Sequence, residues 1–149
     1  MRAVVQRVSF ARVLVEGRVS GAIDHGLLVL LGVGDTDTAA AAEWMADKIA
    51  TLRIFRDDRG LMNLSVEQTC GAILLVSQFT LFGDARRGRR PSFTSAAAGD
   101  RAQMLFELAG NALERRGLRV AYGVFGADMD VESSNQGPVT ILLDSDRTF

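Results

Sequence analysis

Few residues of this chain could do chemistry, and most of those are uncharged. There is one histidine, His25, and one cysteine, Cys70. A zinc site draws on several His, Cys and carboxylate ligands at defined spacings, so neither a metal nor another cofactor is expected. For a Ser-His-Asp or Cys-His hydrolase only His25 could act as base. It stands beside Gly26 in a turn, where a surface or capping role is the commoner one. Gly32-Val33-Gly34-Asp35 lacks the third glycine of a dinucleotide loop and the Gly-Lys-Ser/Thr end of a P-loop, and reads as a strand-to-helix turn. Asp57-Asp58 are turn neighbours, and Asp128 and Asp130 share a strand face without an acid–base partner. Two polar stretches remain, Ser77-Gln78-Phe79-Thr80-Leu81 and Asn135-Gln136-Gly137-Pro138-Val139-Thr140. Any hydrolysis would have to use backbone N–H groups, the Ser77 and Thr80 hydroxyls, the Gln78 amide and a group on the substrate itself. Each stretch alone has a plainer reading: the first as a sheet edge, the second as a turn with Pro at a strand's first position.

The elements that must position these stretches are legible in the hydrophobic pattern. Val4 to Val15 alternates as one long strand, bent near Ser9 and Ala11, and Glu16-Gly17-Arg18 turns it into a hairpin with Val19 to Ile23. Leu27 to Val33 is apolar on both faces and predicts a central strand. Ala41, Trp44, Met45, Lys48, Ile49 and Leu52 have helical spacing, with Thr36, Asp37 or Thr38 as the cap. Ala72 to Phe82 reads as a second long buried strand, and Gly83 to Gly99 as a polar loop carrying Arg86-Arg87-Gly88-Arg89-Arg90-Pro91. A second helix is predicted from an Asp100 cap to Arg115-Arg116-Gly117, with Met104, Leu105, Leu108, Ala109, Ala112 and Leu113 as its stripe. Leu118 to Tyr122 and Met129 to Glu132 are strand-like. Ser134 to Gly137 is a turn and Pro138 to Leu143 a final strand. The expectation is one α+β domain over residues 1–149, with six or seven strands in a mixed, barrel-like sheet and two helices packed on it. Residues 145–149 are expected to fray.

The totals fit that frame. A chain of 149 residues, 48% hydrophobic, suits one core of ordinary size. The net charge is −1, so no global charge marks a nucleic-acid binder, and RNA contact would need a local patch. Sixteen of the seventeen basic residues are arginine, a skew spread along the whole chain. The N-terminus lacks the apolar core of a signal peptide, and Leu27 to Leu31 is too short to span a bilayer. With one cysteine excluding an internal disulfide, a soluble cytoplasmic protein is expected.

Taken together, Arg2-Ala3-Val4-Val5-Gln6-Arg7-Val8, Ser77-Gln78-Phe79-Thr80-Leu81, Arg90-Pro91-Ser92-Phe93, Ala127-Asp128-Met129 and Gly137-Pro138-Val139-Thr140 resemble the D-aminoacyl-tRNA deacylases in order and spacing. The likeness runs through essentially the whole chain, and its specificity lies in the combination. Gln136 departs from it, since the family more usually has an acidic residue beside the glycine. The resemblance implies a homodimeric, metal-free esterase that releases D-amino acids, and glycine, from D-aminoacyl-tRNA and glycyl-tRNA. It further implies a cis Gly137–Pro138 bond whose backbone reaches into the other subunit's active site and excludes L side chains. Arg7 would tether that loop from across the dimer; the plainer reading of Arg7 is a salt bridge on a strand face. Backbone N–H groups around Gln78-Phe79 would steady the ester oxygen, with the tRNA 2′-hydroxyl assisting and Thr80 positioning. Phe79 and Met129 would line the site for the terminal adenosine and aminoacyl group. The arginine loop reads equally as a phosphate contact or as a solvated loop.

Three rivals stand beside this reading. One is a non-catalytic nucleic-acid-binding protein on the same fold. A second is a relative acting on L-aminoacyl or other mischarged tRNA with a trans Gly-Pro bond, and a third is a purely structural dimeric domain.

Overall fold

The computed structural model describes residues 1–148. Its organising element is β1 (Arg2–Val15), which pairs antiparallel with β2 (Arg18–Ile23), β3 (Gly26–Gly32) and β8 (Asp130–Asp144). The first half of β1 lies between β3 and β8, and the second half between β2 and β8. From β3 the sheet continues in parallel through β6 (Ala72–Ser77) to β7 (Arg119–Tyr122). A separate ribbon, β4 (Phe55–Arg56) with β5 (Met62–Leu64), flanks the turn at Asp57–Gly60; the hydrophobic pattern gave no sign of it.

The parallel crossovers require helices, and α1 (Ala39–Thr51) and α2 (Gly99–Arg115) supply them. On β3, Leu27, Val29 and Leu31 face the helices while Leu28 faces the barrel interior; on β6, Ile73 and Leu75 oppose Ala72, Leu74 and Val76 in the same way. Period-two alternation with both faces apolar is what the runs at 27–33 and 72–76 require. The helical core adds Met45, Ile49, Leu105, Phe106 and Leu113. The sheet nearly closes where β2 meets β7. A side chain at Gly21 would collide with the backbone carbonyl of Tyr122, so only glycine permits that seam.

The structure picks one of the expected caps of α1 and corrects several other local expectations. Thr38 caps α1, its hydroxyl accepting from Ala41 N at 3.4 Å, whereas Asp37 is buried and accepts from Gly34 N at 2.6 Å and from the Met1 ammonium. Ala98, not Asp100, is the N-cap of α2; Asp100 lies in its first turn, where a carboxylate still favours the dipole. Met104 is 57% exposed, because the buried stripe of α2 runs instead through Ala102, Leu105, Phe106, Ala109 and Leu113. The two predicted C-terminal strands are one strand, β8, interrupted by a bulge. Of the tail expected to fray, Ser145 donates its backbone N–H to Met1 O at 2.9 Å and the Thr148 hydroxyl donates to Asp144. Phe149 lies outside the described residues.

Gly21→Ala should lower stability by about 1–3 kcal/mol through overpacking at the seam. Urea denaturation measures it, and an unchanged midpoint would mean that the seam has slack.

Candidate functional site

The ladder between β3 and β6 decides where the first polar stretch leaves the sheet. β3 ends at Gly32, so pairing stops at Leu31 with Ser77, and the last bond is Gln78 N donating to Leu31 O at 2.9 Å. The chain then tightens into a 3₁₀ turn over Phe79–Phe82, with Leu81 N donating to Gln78 O at 3.3 Å and Gly83 N to Thr80 O at 2.9 Å. The strand expected to run on to Phe82 therefore ends five residues earlier in the chain, at Ser77. As the opening N–H groups of such a turn, those of Phe79 and Thr80 have no acceptor among the described residues. The Gln78 side-chain amide donates to the Thr80 hydroxyl.

This break forms one wall of a cavity of about 590 Å³. Ser77, Gln78 and Phe79 line it on one side and Phe125 to Met129 on another. Phe93 and the small residues Ala96 to Gly99, leading into α2, complete it. Phe79 meets Phe93 edge to face, their centroids 5.2 Å apart. Small side chains leave the space and the aromatics give it apolar walls; a cavity of this size suits a small molecule or one end of a larger one. Among the described residues Asp128 is the single ionisable one in the lining. Among the described residues no group of three or more His, Cys, Asp or Glu is placed to hold a metal. The later part of the Gly83–Gly99 loop is thus a cavity wall that residue typing passed over. The Phe93 aromatic and the run Ala96-Ala97-Ala98-Gly99 were the available signal.

The second polar stretch is built by a different break in pairing. Gln6 pairs with Thr140 but Val8 with Asn135, so residues 136–139 bulge out opposite Arg7. Pro138 has no N–H to give a ladder, which makes the position a natural interruption. The Gly137–Pro138 peptide is cis, as the resemblance implies. Asn135 clips the bulge at its neck: its carbonyl oxygen accepts from Val139 N at 2.7 Å and its amide donates to the Thr140 hydroxyl at 2.9 Å. Arg7 holds it from below. Its Nε and Nη2 donate to Gln136 O at 3.0 and 2.8 Å, and Nη1 donates to Ile54 O at 2.5 Å.

Arg7 is only 4% exposed, and among the described residues it has no carboxylate partner. Burial, and then the nearby positive charge of Arg56, lower its pKa. Within the chain Arg7 is tied to Gln136 by hydrogen bonds to a backbone carbonyl and not by the salt bridge of the plainer reading. Since the tether uses only the backbone carbonyl of Gln136, the amide at this position in place of the usual acid leaves that bond intact.

Within one chain the two halves do not meet. Ser77, Gln78, Phe79 and Met129 line the cavity, and Thr80 is joined to them through the Gln78 amide. Arg7 and Gly137 instead border a second hollow with His25, Phe55 and Gln136, while Pro138 faces solvent. His25 is exposed and edge-on to Phe55, away from the cavity.

Fold and site together define a barrel-like α+β protein whose cavity offers backbone donors, hydroxyls and an amide instead of an acid–base pair. The chain belongs to the D-Tyr-tRNA(Tyr) deacylase family, whose model matches residues 4–144. It is 59% identical to a D-aminoacyl-tRNA deacylase of Koribacter versatilis (strain Ellin345) and 56% identical to one of Thermotoga petrophila, in both cases over 100% of each chain. Among solved structures it is similar to a c-Myc DNA unwinding element binding protein. That likeness has 40% identity and a TM-score of 0.90, and it covers 97% of this chain and 98% of the other. No helix of the described residues is long and apolar enough to cross a membrane.

Replacing Arg7 by Met would leave the Gln136 and Ile54 carbonyls without their donor. The expected cost is about 2–4 kcal/mol by thermal or urea unfolding, with faster hydrogen exchange confined first to residues 135–140. Unchanged exchange there would show that Arg7 does not hold the bulge.

Proposed function

We propose that this chain hydrolyses the ester between a D-amino acid, or glycine, and the 3′-terminal ribose of tRNA, and that it does so in the cytoplasm as a homodimer. The observation that carries the reading is a mismatch within one chain. A rigidly clipped, solvent-facing Gly137–Pro138 bulge has nothing of its own to act on, while a cavity whose one ionisable lining residue is Asp128 lacks a stereochemical wall. A second copy supplies each with the other. The long edge strand β8, paired only with β1, and the exposed Phe10, Val131 and Leu142 support such a partner. The family and the names of the 59% and 56% identical relatives support the substrate.

In this reading the terminal adenosine and aminoacyl group lie against Phe79 and Met129. Water attacks the ester carbonyl, and the oxygen's developing negative charge is met by the N–H groups of Phe79 and Thr80, adjoining Gln78. Ser77 borders this wall and adds a hydroxyl. Thr80 is held by the Gln78 amide and positions the ester; with no base beside it, it is a poor nucleophile. In this reading the attacking water's proton passes through the ribose 2′-hydroxyl to the 3′-oxygen as the acyl C–O bond breaks. The backbone of the partner's bulge stands against the substrate Cα. It leaves room for a D side chain or hydrogen and collides with an L side chain, a selection by exclusion rather than by contact.

A second reading, nucleic-acid binding without turnover, draws on the 40% identical c-Myc DNA unwinding element binding protein. Purified protein incubated with D-Tyr-tRNA, L-Tyr-tRNA and glycyl-tRNA, with and without a chelator, separates the two. The D ester should be lost about 10²-fold or more faster than the L ester, with the glycyl ester also cleaved and chelator without effect. Hydrolysis of neither tyrosyl ester above background would sink the esterase reading in favour of binding. Equal D and L rates would sink the stereochemical one.

A further inference from the structure

The segment between the 3₁₀ turn and α2 folds back on itself. Asp84 and Ser92 exchange backbone hydrogen bonds of 2.7 and 2.9 Å, closing a short ribbon whose tip is residues 85–91. Four of those seven residues are arginines. Arg86 is committed within the ribbon: its Nε and Nη2 donate to the Asp84 carboxylate at 2.9 and 2.6 Å, holding that carboxyl well below the usual range. Arg87, Arg89 and Arg90 are exposed, and among the described residues no carboxylate neutralises them. In a chain of net charge −1, three uncompensated guanidiniums on one short ribbon are a local feature. Their position is specific too. Phe93, the residue after the ribbon's base, lines the cavity and packs on Phe79, so the ribbon rises from the cavity rim.

A planar guanidinium matches a phosphate's oxygens better than an ammonium does, and three of them beside one pocket fit a ligand with a repeating phosphate backbone. We propose that the 85–91 ribbon is an RNA-binding arm, in which Arg87, Arg89 and Arg90 contact backbone phosphates of the acceptor stem while the esterified 3′ end occupies the cavity. The identity of the RNA end rests on the aminoacyl-tRNA reading above. The arm itself is tested by binding, which needs no turnover.

Three proteins are compared: the wild type, the triple variant R87A/R89A/R90A, and the triple variant R87K/R89K/R90K. Binding of uncharged tRNA is measured over a salt series, and hydrolysis is measured on D-Tyr-tRNA and on 3′-O-D-tyrosyl-adenosine, which lacks the stem. Replacing three phosphate contacts by alanine should reduce the slope of log affinity against log salt by about 2–3. It should weaken low-salt binding about tenfold or more, with most of the slope kept by the lysine variant. KM for D-Tyr-tRNA should rise by a similar factor, while kcat and hydrolysis of the adenosine ester stay as in the wild type. An unchanged slope and KM in the alanine variant would overturn the proposal, as would an equal loss on the adenosine ester. Wild-type binding with a ribbon-dependent slope but no hydrolysis would remove the deacylase reading and keep the arm. Hydrolysis with an unchanged slope would do the reverse.

Discussion

The geometry of this protein turns on one buried guanidinium. Arg7 sits in the middle of β1, nearly sealed from water and without a carboxylate partner among the described residues, and spends its donors on the carbonyls of Gln136 and Ile54. Burying a charge this way is costly, and charge-assisted hydrogen bonds of about 1.5–3 kcal/mol each are what offset it. Because the acceptors are backbone atoms on two separate segments, the bond fixes chain position rather than side-chain identity. It joins the long strand, the segment after α1 and the bulge of β8 at one point. Asn135 closes the neck of the same bulge, so Gly137 and Pro138 project from an anchored base.

The cavity follows from a similar economy. Two parallel strands of unequal reach, β3 and β6, leave Gln78 as the last rung, and the chain beyond it tightens into a turn whose first N–H groups have no acceptor among the described residues. Walls of alanine, glycine and phenylalanine keep ionisable groups out, apart from Asp128. Backbone donors in an apolar hollow suit developing negative charge, because they are already oriented and poorly screened. Asp128 is the one carboxylate in that lining, and no histidine or second acid lines it beside Asp128. That combination favours an ester whose alcohol has a neighbouring hydroxyl.

Much of this frame was legible in the residues. The apolar runs at 27–33 and 72–76 announced central strands because both faces of each are buried. The hairpin at Glu16-Gly17 and the two helices followed from turn chemistry and period. The sequence also singled out Ser77 to Thr80 and Gly137-Pro138 as the two places where polar groups interrupt the apolar pattern. What it could not reveal are consequences of pairing between distant segments. Phe79 to Phe82 has the composition of a strand, but the neighbouring strand runs out. Residues 134–137 look like a hairpin turn, yet β1 is long enough to pair on both sides of the bulge, so β8 continues past it. The carbonyls that Arg7 would find depend on where Ile54 and Gln136 come to rest, which no local pattern encodes. The wall of Ala96 to Gly99 was hidden inside a segment that reads as a loop.

In the proposed homodimer a complete site takes its cavity from one copy and its Gly137–Pro138 wall from the other. The most direct measurement is complementation in a mixed dimer, isolated through two different affinity tags. One copy has G137A/P138A and an intact cavity; the other has the cavity filled by Ala127→Trp and an intact bulge. Each variant as a homodimer should lack D-selective deacylation, and the mixed dimer should regain it at about half the wild-type rate per dimer, since one of its two sites is whole. A mixed dimer no more selective than the two homodimers would contradict the account and place the selecting groups within a single chain.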